Sequence, residues 1–261
     1  PIIVSGLTNG VSYTFTVVAN NAIGSSAPSV ASNAIIPNCG AYNNSGTYLV
    51  FGCYNLGVTT TVDPLIGANQ TSALYGDYYQ WGRKTDGHEK QNSDTVKTQA
   101  VNNEATSPSR VIGKFIISSS DWSSVQNSSL WGDGSGGTNL NPGKATNDPC
   151  PAGFKVPSVS QWGSIFKGNT TSGAPGTAIT NTWTWTGSGY AVGLGLYLPA
   201  TGFRNGNNGT YGQAGLGHFW SSTNNPVVST ESILLIFNAI DVNPSYNVPR
   251  IHGATIRCVA E

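Results

Sequence analysis

Asp148-Pro149-Cys150-Pro151-Ala152-Gly153-Phe154-Lys155-Val156-Pro157-Ser158-Val159-Ser160-Gln161-Trp162 is the stretch from which the rest of the chain can be read. Its three prolines fix φ, and each biases the residue before it away from the helical region, so no helix starts ahead of Ser158. Ser158 followed three residues later by Gln161 is a capping box, the local signature of a helix start. Trp162, Ile165 and Phe166 then recur at helical spacing and predict one short helix with a single apolar face.

Outward from this helix the sequence predicts short strands between turns. Candidate strands are Tyr48–Phe51, Val111–Ile117, Ala191–Pro199, Ser232–Phe237 and Thr255–Val259, and Ser120-Asp121-Trp122 is read as the opening of a second, short helix. Residues 132–147 and Arg204–Gly217, dense in Gly, Asn and Thr, are read as long loops, of the kind that usually carries function or is poorly ordered.

Only 9% of the 261 residues are charged, and 12 basic residues balance 12 acidic ones. With no basic stripe, nucleic acid is not expected as a partner. The polar surface must come from Asn, Ser, Thr and Gly, which suits an extracellular, loop-rich protein. No run of 18 apolar residues is present, so no membrane-embedded helix is expected. The chain starts without Met and without a signal segment, and is expected to be a mature product or a fragment. Four well-spaced cysteines, Cys39, Cys53, Cys150 and Cys258, imply two disulfides and an oxidising compartment, and no CxxC or His/Cys pair supports a zinc site. Of the three connectivities that four cysteines allow, Cys39–Cys53 and Cys150–Cys258 are expected, closing a short loop and tying the turn before the helix to the chain's end.

Residues 1–37 form a first unit. Tyr13, Phe15, Val17 and Ala19 alternate with their neighbours as in a strand with one buried face, and a second extended run goes from Val30 to Ile36. Gly6-Leu7-Thr8-Asn9-Gly10-Val11-Ser12-Tyr13-Thr14-Phe15-Thr16-Val17 with Ala19-Asn20-Asn21-Ala22-Ile23-Gly24 resembles the last strands of a fibronectin type III domain. The resemblance implies that Tyr13 is the tyrosine-corner residue, and that more chain precedes residue 1, because three strands of seven cannot bury both faces. A hairpin packed on the second unit is the alternative.

Residues 38–261 form the second unit. The stretch already quoted, with Leu198-Pro199-Ala200-Thr201-Gly202-Phe203-Arg204, Phe219-Trp220-Ser221-Ser222-Thr223, Gly253-Ala254-Thr255-Ile256-Arg257-Cys258-Val259 and the upstream blocks Cys39–Tyr42, Phe51–Gly57 and Gly76–Arg83, resembles the Fibrobacter succinogenes major paralogous domain of bacterial surface proteins. The resemblance implies an α+β, C-type-lectin-like fold with a loop-rich ligand face, related to the formylglycine-generating-enzyme fold. It implies binding more than chemistry, and supplies no ligand. It also suggests export by a type 9 system, with an outer-membrane secretion or anchoring partner.

Trp81, Trp162 and Trp220 are read as core. An enzyme is not expected: His88, His218 and His252 lie far apart in loop-like settings, the cysteines are committed to disulfides, and no G-x-S-x-G, H-E-x-x-H or phosphate loop occurs. No cofactor is called for. Calcium is the one ion the loop oxygens of Asp133, Asn139, Asn141, Asn147 and Asp148 could gather around, although solvation of the loop explains them better. Asp94-Thr95-Val96 resembles the O-glycosylation acceptor of Bacteroidota, with Thr95 as acceptor. The expected function is a secreted or cell-surface adhesion module gripping a glycan or surface protein. A purely structural bead of a long surface or tail-fibre protein is the alternative, and a formylglycine-generating-type oxidase a third reading. The ligand face is expected to combine Trp131 and Asp133, the platform of Trp183 and Trp185, and the loop residues Arg204, Asn205, Asn207, Asn208 and Tyr211. Residues two apart in an extended segment share one side, and whether that side of Trp183 and Trp185 meets ligand or core stays open.

Overall fold

A computed structural model describes Val4, Leu7 and residues 12–35, 37–60, 62–100, 111–212 and 215–261. Among these, short strands in small, mostly antiparallel sheets alternate with long irregular segments, and the single α-helix is Val159–Ser164. The expected caps form. Ser158 Oγ accepts from the Gln161 amide at 3.1 Å, and Gln161 Oε1 accepts from the Ser158 amide at 2.9 Å. The helix ends where Gly168, at φ 74°, turns its amide back to the Gly163 carbonyl, a conformation that glycine adopts without the steric cost of a Cβ.

The longest strands, Gly217–Asn224, Glu231–Phe237 and Val242–Pro249, make one antiparallel meander. Alternate side chains of Glu231–Phe237 go to opposite faces. Leu235 and Phe237 join a cluster with Trp162, Phe166, Trp183, Tyr190 and Phe219. Leu234 joins a second cluster with Trp81, Trp122, Trp131 and Trp220. Both disulfides, Cys39–Cys53 and Cys150–Cys258, are formed in the expected pairing.

A loop-rich interior leaves many carbonyls without sheet partners, and each buried one costs free energy unless it is bonded. Here indole N–H groups satisfy them: Trp81 to Ser221, Trp122 to Trp81, Trp162 to Trp220, Trp183 to Ile165 and Trp220 to Tyr79. Buried arginines do the same. Arg83 donates to the Lys114 and Val111 carbonyls, and Arg257 to that of Gly52. Tryptophan thus supplies both apolar area and a single directed donor.

Several expected elements are corrected. Ala191–Pro199 is two strands, Gly189–Val192 and Leu196–Pro199, joined by Gly193-Leu194-Gly195 with Gly193 at φ 57°. Arg204–Gly217 is no open loop: Phe203–Arg204 pairs with Tyr211–Gly212, and Gly217 begins the long strand. Of Val111–Ile117 only Phe115–Ile116 is strand. Thr255–Val259 splits, because Gly253–Ala254 and Val259–Ala260 join different sheets. No helix starts at Ser120, because the Trp122 carbonyl is taken by the Ala100 amide and the Ser124 amide by the Ala100 carbonyl, a parallel bridge.

Between Ser12 and Ile35 no residue is buried, although Tyr13 and Phe15 are partly covered. The two runs are joined by backbone bonds from the Ser26, Ser29, Ser32 and Ile35 amides to the Ala19, Val17, Phe15 and Tyr13 carbonyls, and from the Tyr13 amide back to the Ile35 carbonyl. Each serine hydroxyl also accepts from the facing amide of Ala19, Val17 or Phe15. The returning run therefore advances three residues for every two of its partner.

Candidate functional site

The face of the three-stranded meander that holds Leu234 opens into a cleft of about 450 Å³, within the ~300–1,000 Å³ range of small-molecule sites. Strand register builds it. His218, Ile236 and Asn243 are cross-strand neighbours in one row, and Trp220, Leu234 and Tyr246 in the next. Phe203 stands beside them, its ring centroid 5.1 Å from that of His218 and 5.3 Å from that of His252. Two of the three histidines expected to be far apart, His218 and His252, are thus brought together here, and His218 lies within an eight-residue strand instead of a loop. The parallel bridge of Phe219 with Thr255 is what carries the two chain segments side by side.

The polar chemistry of the cleft is unfinished by the protein itself. His252 Nδ1 accepts from the Gly206 amide at 3.0 Å, which places the proton of the neutral ring on Nε2. His218 is only 6% exposed, and its Nδ1 closes no hydrogen bond of ordinary geometry. Burial pushes its pKa down to about 4, with the nearby Leu216 carbonyl opposing and His252 assisting. Burial also lowers the pKa of His252. Asn238 Oδ1 accepts from the Ile240 and Asp241 amides and Asn243 Oδ1 from the Ser245 amide, leaving both Nδ2 groups without a partner among the described residues. The Asp241 carboxylate and the hydroxyl of Tyr246, a residue 47% exposed, likewise have none among the described residues. An apolar floor of Phe203, Leu234, Ile236 and Val248 lies beneath these groups.

None of the residues of the expected ligand face lines this cleft. Trp131 is fully buried, with Nε1 donating to the Arg83 and Asn147 carbonyls. Trp183 and Trp185 do share one side, but that side is the core, where both pack on Tyr190 at 5.5 and 5.2 Å. Arg204 is buried, its guanidinium 4.2 Å from the Phe115 ring centroid and bonded to Ser93 and to the Gly209 carbonyl. Asn205 and Asn208 spend their Oδ1 atoms on the Asn207 and Thr210 amides, and the exposed Tyr211 donates to the Gln91 carbonyl. Asp133 is exposed and accepts from Asn139 and the Ser135 amide. Asn141 and Asp148 are each held by a lysine ammonium, Lys155 and Lys144, and Asn147 donates to the Gly82 carbonyl. Thr95 is exposed in a two-residue strand paired in parallel with Phe115–Ile116.

Asp86, His88 and Glu89 are the one group of described residues whose ligand atoms lie close enough to share a metal ion. Their bonds favour a different role. His88 donates from Nδ1 to Asp86 Oδ1 at 2.7 Å and accepts at Nε2 from the Gln80 amide at 3.2 Å, so both ring nitrogens are spent. Arg83 occupies the other Asp86 oxygen at 2.7 Å, putting a cation where a metal would have to enter. Burial, followed by the Arg83 charge, pushes the His88 pKa down to about 3. Burial works against the Asp86 charge, but His88 and Arg83 outweigh it and hold that carboxyl below the ordinary range. The group is a neutral-histidine brace for the Gln80–Lys90 turn.

Comparison with family models, with curated proteins and with solved structures finds no match, so the cleft stands on its own geometry.

Proposed function

We propose that this chain is an extracellular binding module that holds a glycan or surface-protein group in the His218–His252 cleft. The observation that carries the reading is the cleft's combination of an apolar floor and a buried imidazole with amide, carboxylate and phenol groups that have no partner among the described residues. Planar polar groups over an aromatic and aliphatic floor match a sugar ring, which offers an apolar face and a girdle of hydroxyls. Two disulfides support an oxidising, extracellular setting. The resemblance of residues 38–261 to the Fibrobacter succinogenes major paralogous domain adds a C-type-lectin-like reading of the same unit. With all four cysteines bonded, thiol chemistry of the formylglycine-generating type would first require reduction.

A glycan array with the whole chain tests the proposal. Tyr246→Ala and His252→Ala should each remove most of any signal. The half-exposed Tyr246 should do so with little change in melting temperature. Signal that survives both substitutions would place the ligand elsewhere.

A further inference from the structure

Among the described residues that line the cleft, Asp241 supplies the one carboxylate, and none is a lysine or arginine. Asp241 is not spent on the protein: it forms no ion pair and its carboxylate accepts no hydrogen bond among the described residues. Its backbone is fixed in a turn, because its amide donates to Asn238 Oδ1 and its carbonyl accepts from the Asn238 amide at 3.0 Å. The two imidazoles that line the same cleft stay uncharged at neutral pH because burial disfavours their cationic forms. A bound group therefore meets a carboxylate with no cation to offset it, two amide donors, and the buried His218 ring.

Resting on the binding reading above, we infer that the cleft selects by charge: it takes neutral or amino-bearing sugar residues and rejects uronates and other acidic sugars. Neutral sugars satisfy the rim through hydroxyls that both donate, to Asp241, and accept, from the Asn238 and Asn243 amides. An ammonium on the ring strengthens the contact with Asp241. A sugar carboxylate is repelled and finds no guanidinium or ammonium, the groups that anion recognition ordinarily uses.

The test is NMR titration of the whole chain with matched methyl glycosides of gluco, galacto and manno configuration, each as neutral sugar, amino sugar and uronate, at pH 7 and low salt. In at least one configuration the neutral and amino forms should bind, and the uronate should bind about tenfold more weakly, the order expected for like charges a few ångströms apart at a wet rim. Asp241→Asn should bring uronate and neutral sugar within about threefold, because it removes the charge and keeps the shape. Leu194→Ser, at a side chain 90% exposed and outside the cleft, should retain the wild-type preference. Uronates binding as well as their neutral partners, or a preference unmoved by Asp241→Asn, would overturn the charge selection while leaving a sugar site in place. No binding by any of the nine glycosides would overturn the sugar reading of the cleft together with this inference.

Discussion

Lowering the pH from 7 to 5 should weaken this fold, and two histidines set how much. His88 and His218 are both buried, and their pKa values are pushed from 6.5 down to about 3 and about 4. A histidine whose pKa is depressed on folding takes up its proton more readily in the unfolded chain. Stability is then lost as pH falls through the unfolded value near 6.5, and the loss levels off only below the folded one. At pH 5 each histidine therefore costs ~2 kcal/mol relative to pH 7, or ~4 kcal/mol together. Asp121 opposes them. Burial raises its carboxyl from 3.8 to about 6, so the folded chain gains its proton first and recovers ~1 kcal/mol over the same interval. The net loss of roughly 2–3 kcal/mol is a large part of a typical domain stability of about 5–15 kcal/mol. Urea unfolding at pH 7, 6 and 5, at constant ionic strength, measures it. His88→Gln keeps a donor for Asp86 and an acceptor for the Gln80 amide but cannot titrate, so it should shrink the loss by ~2 kcal/mol. A wild-type chain equally stable at pH 5 and pH 7, or a glutamine variant with the full pH dependence, would refute the assignment of these buried neutral rings.

Trp183→Ala should cost about 3–5 kcal/mol as a core truncation, leaving any sugar binding intact in variants that stay folded; loss of binding at unchanged stability would restore a tryptophan platform. Trp220→Phe should cost about 1–3 kcal/mol in chemical denaturation, because it strands the buried Tyr79 carbonyl. Replacing Cys150 and Cys258 by alanine should cost about 4–5 kcal/mol, against about 3 for the Cys39–Cys53 pair, since the first closes a loop of 108 residues and the second one of 14. Equal losses in parallel urea melts would contradict the loop-length argument. Asp121→Asn should stabilise the chain at pH 7 by up to ~3 kcal/mol and leave it unchanged near pH 3, by the linkage of its raised carboxyl.

The helix was legible because its start is local chemistry: Ser158 and Gln161 need only each other and the backbone between them. The buried Trp81, Trp162 and Trp220 were legible because no cheaper place exists for so much apolar area. The shared side of Trp183 and Trp185 followed from their spacing, but which side was core did not, because a period of two is silent about what lies across from it. The Gly193–Gly195 turn was masked by alternation that runs on through it, although two glycines flanking one exposed leucine were the available signal. The cleft could not be read from spacing at all. His218 and His252 meet through a single parallel bridge between distant segments, Asn243 faces the cleft through strand register, and Asn238 and Asp241 line it from the turn between two strands. The alternation of His218 with Trp220 was the one local hint that this histidine points to a sheet face.

The serine ladder of the first unit has a mechanical meaning. From Ala19 back to Tyr13 the outgoing run covers six residue steps, and from Ser26 to Ile35 its partner uses nine over the same distance. Six extended steps span about 20 Å, and nine would span about 30 Å. The returning run therefore stores about 10 Å of slack, held by serine hydroxyls that each brace one rung and turn their own protons onto the next carbonyl, those of Ala27, Val30 and Asn33. Breaking the rungs would let the returning run straighten, so this segment can gain length without any change in the disulfide-tied residues 38–261.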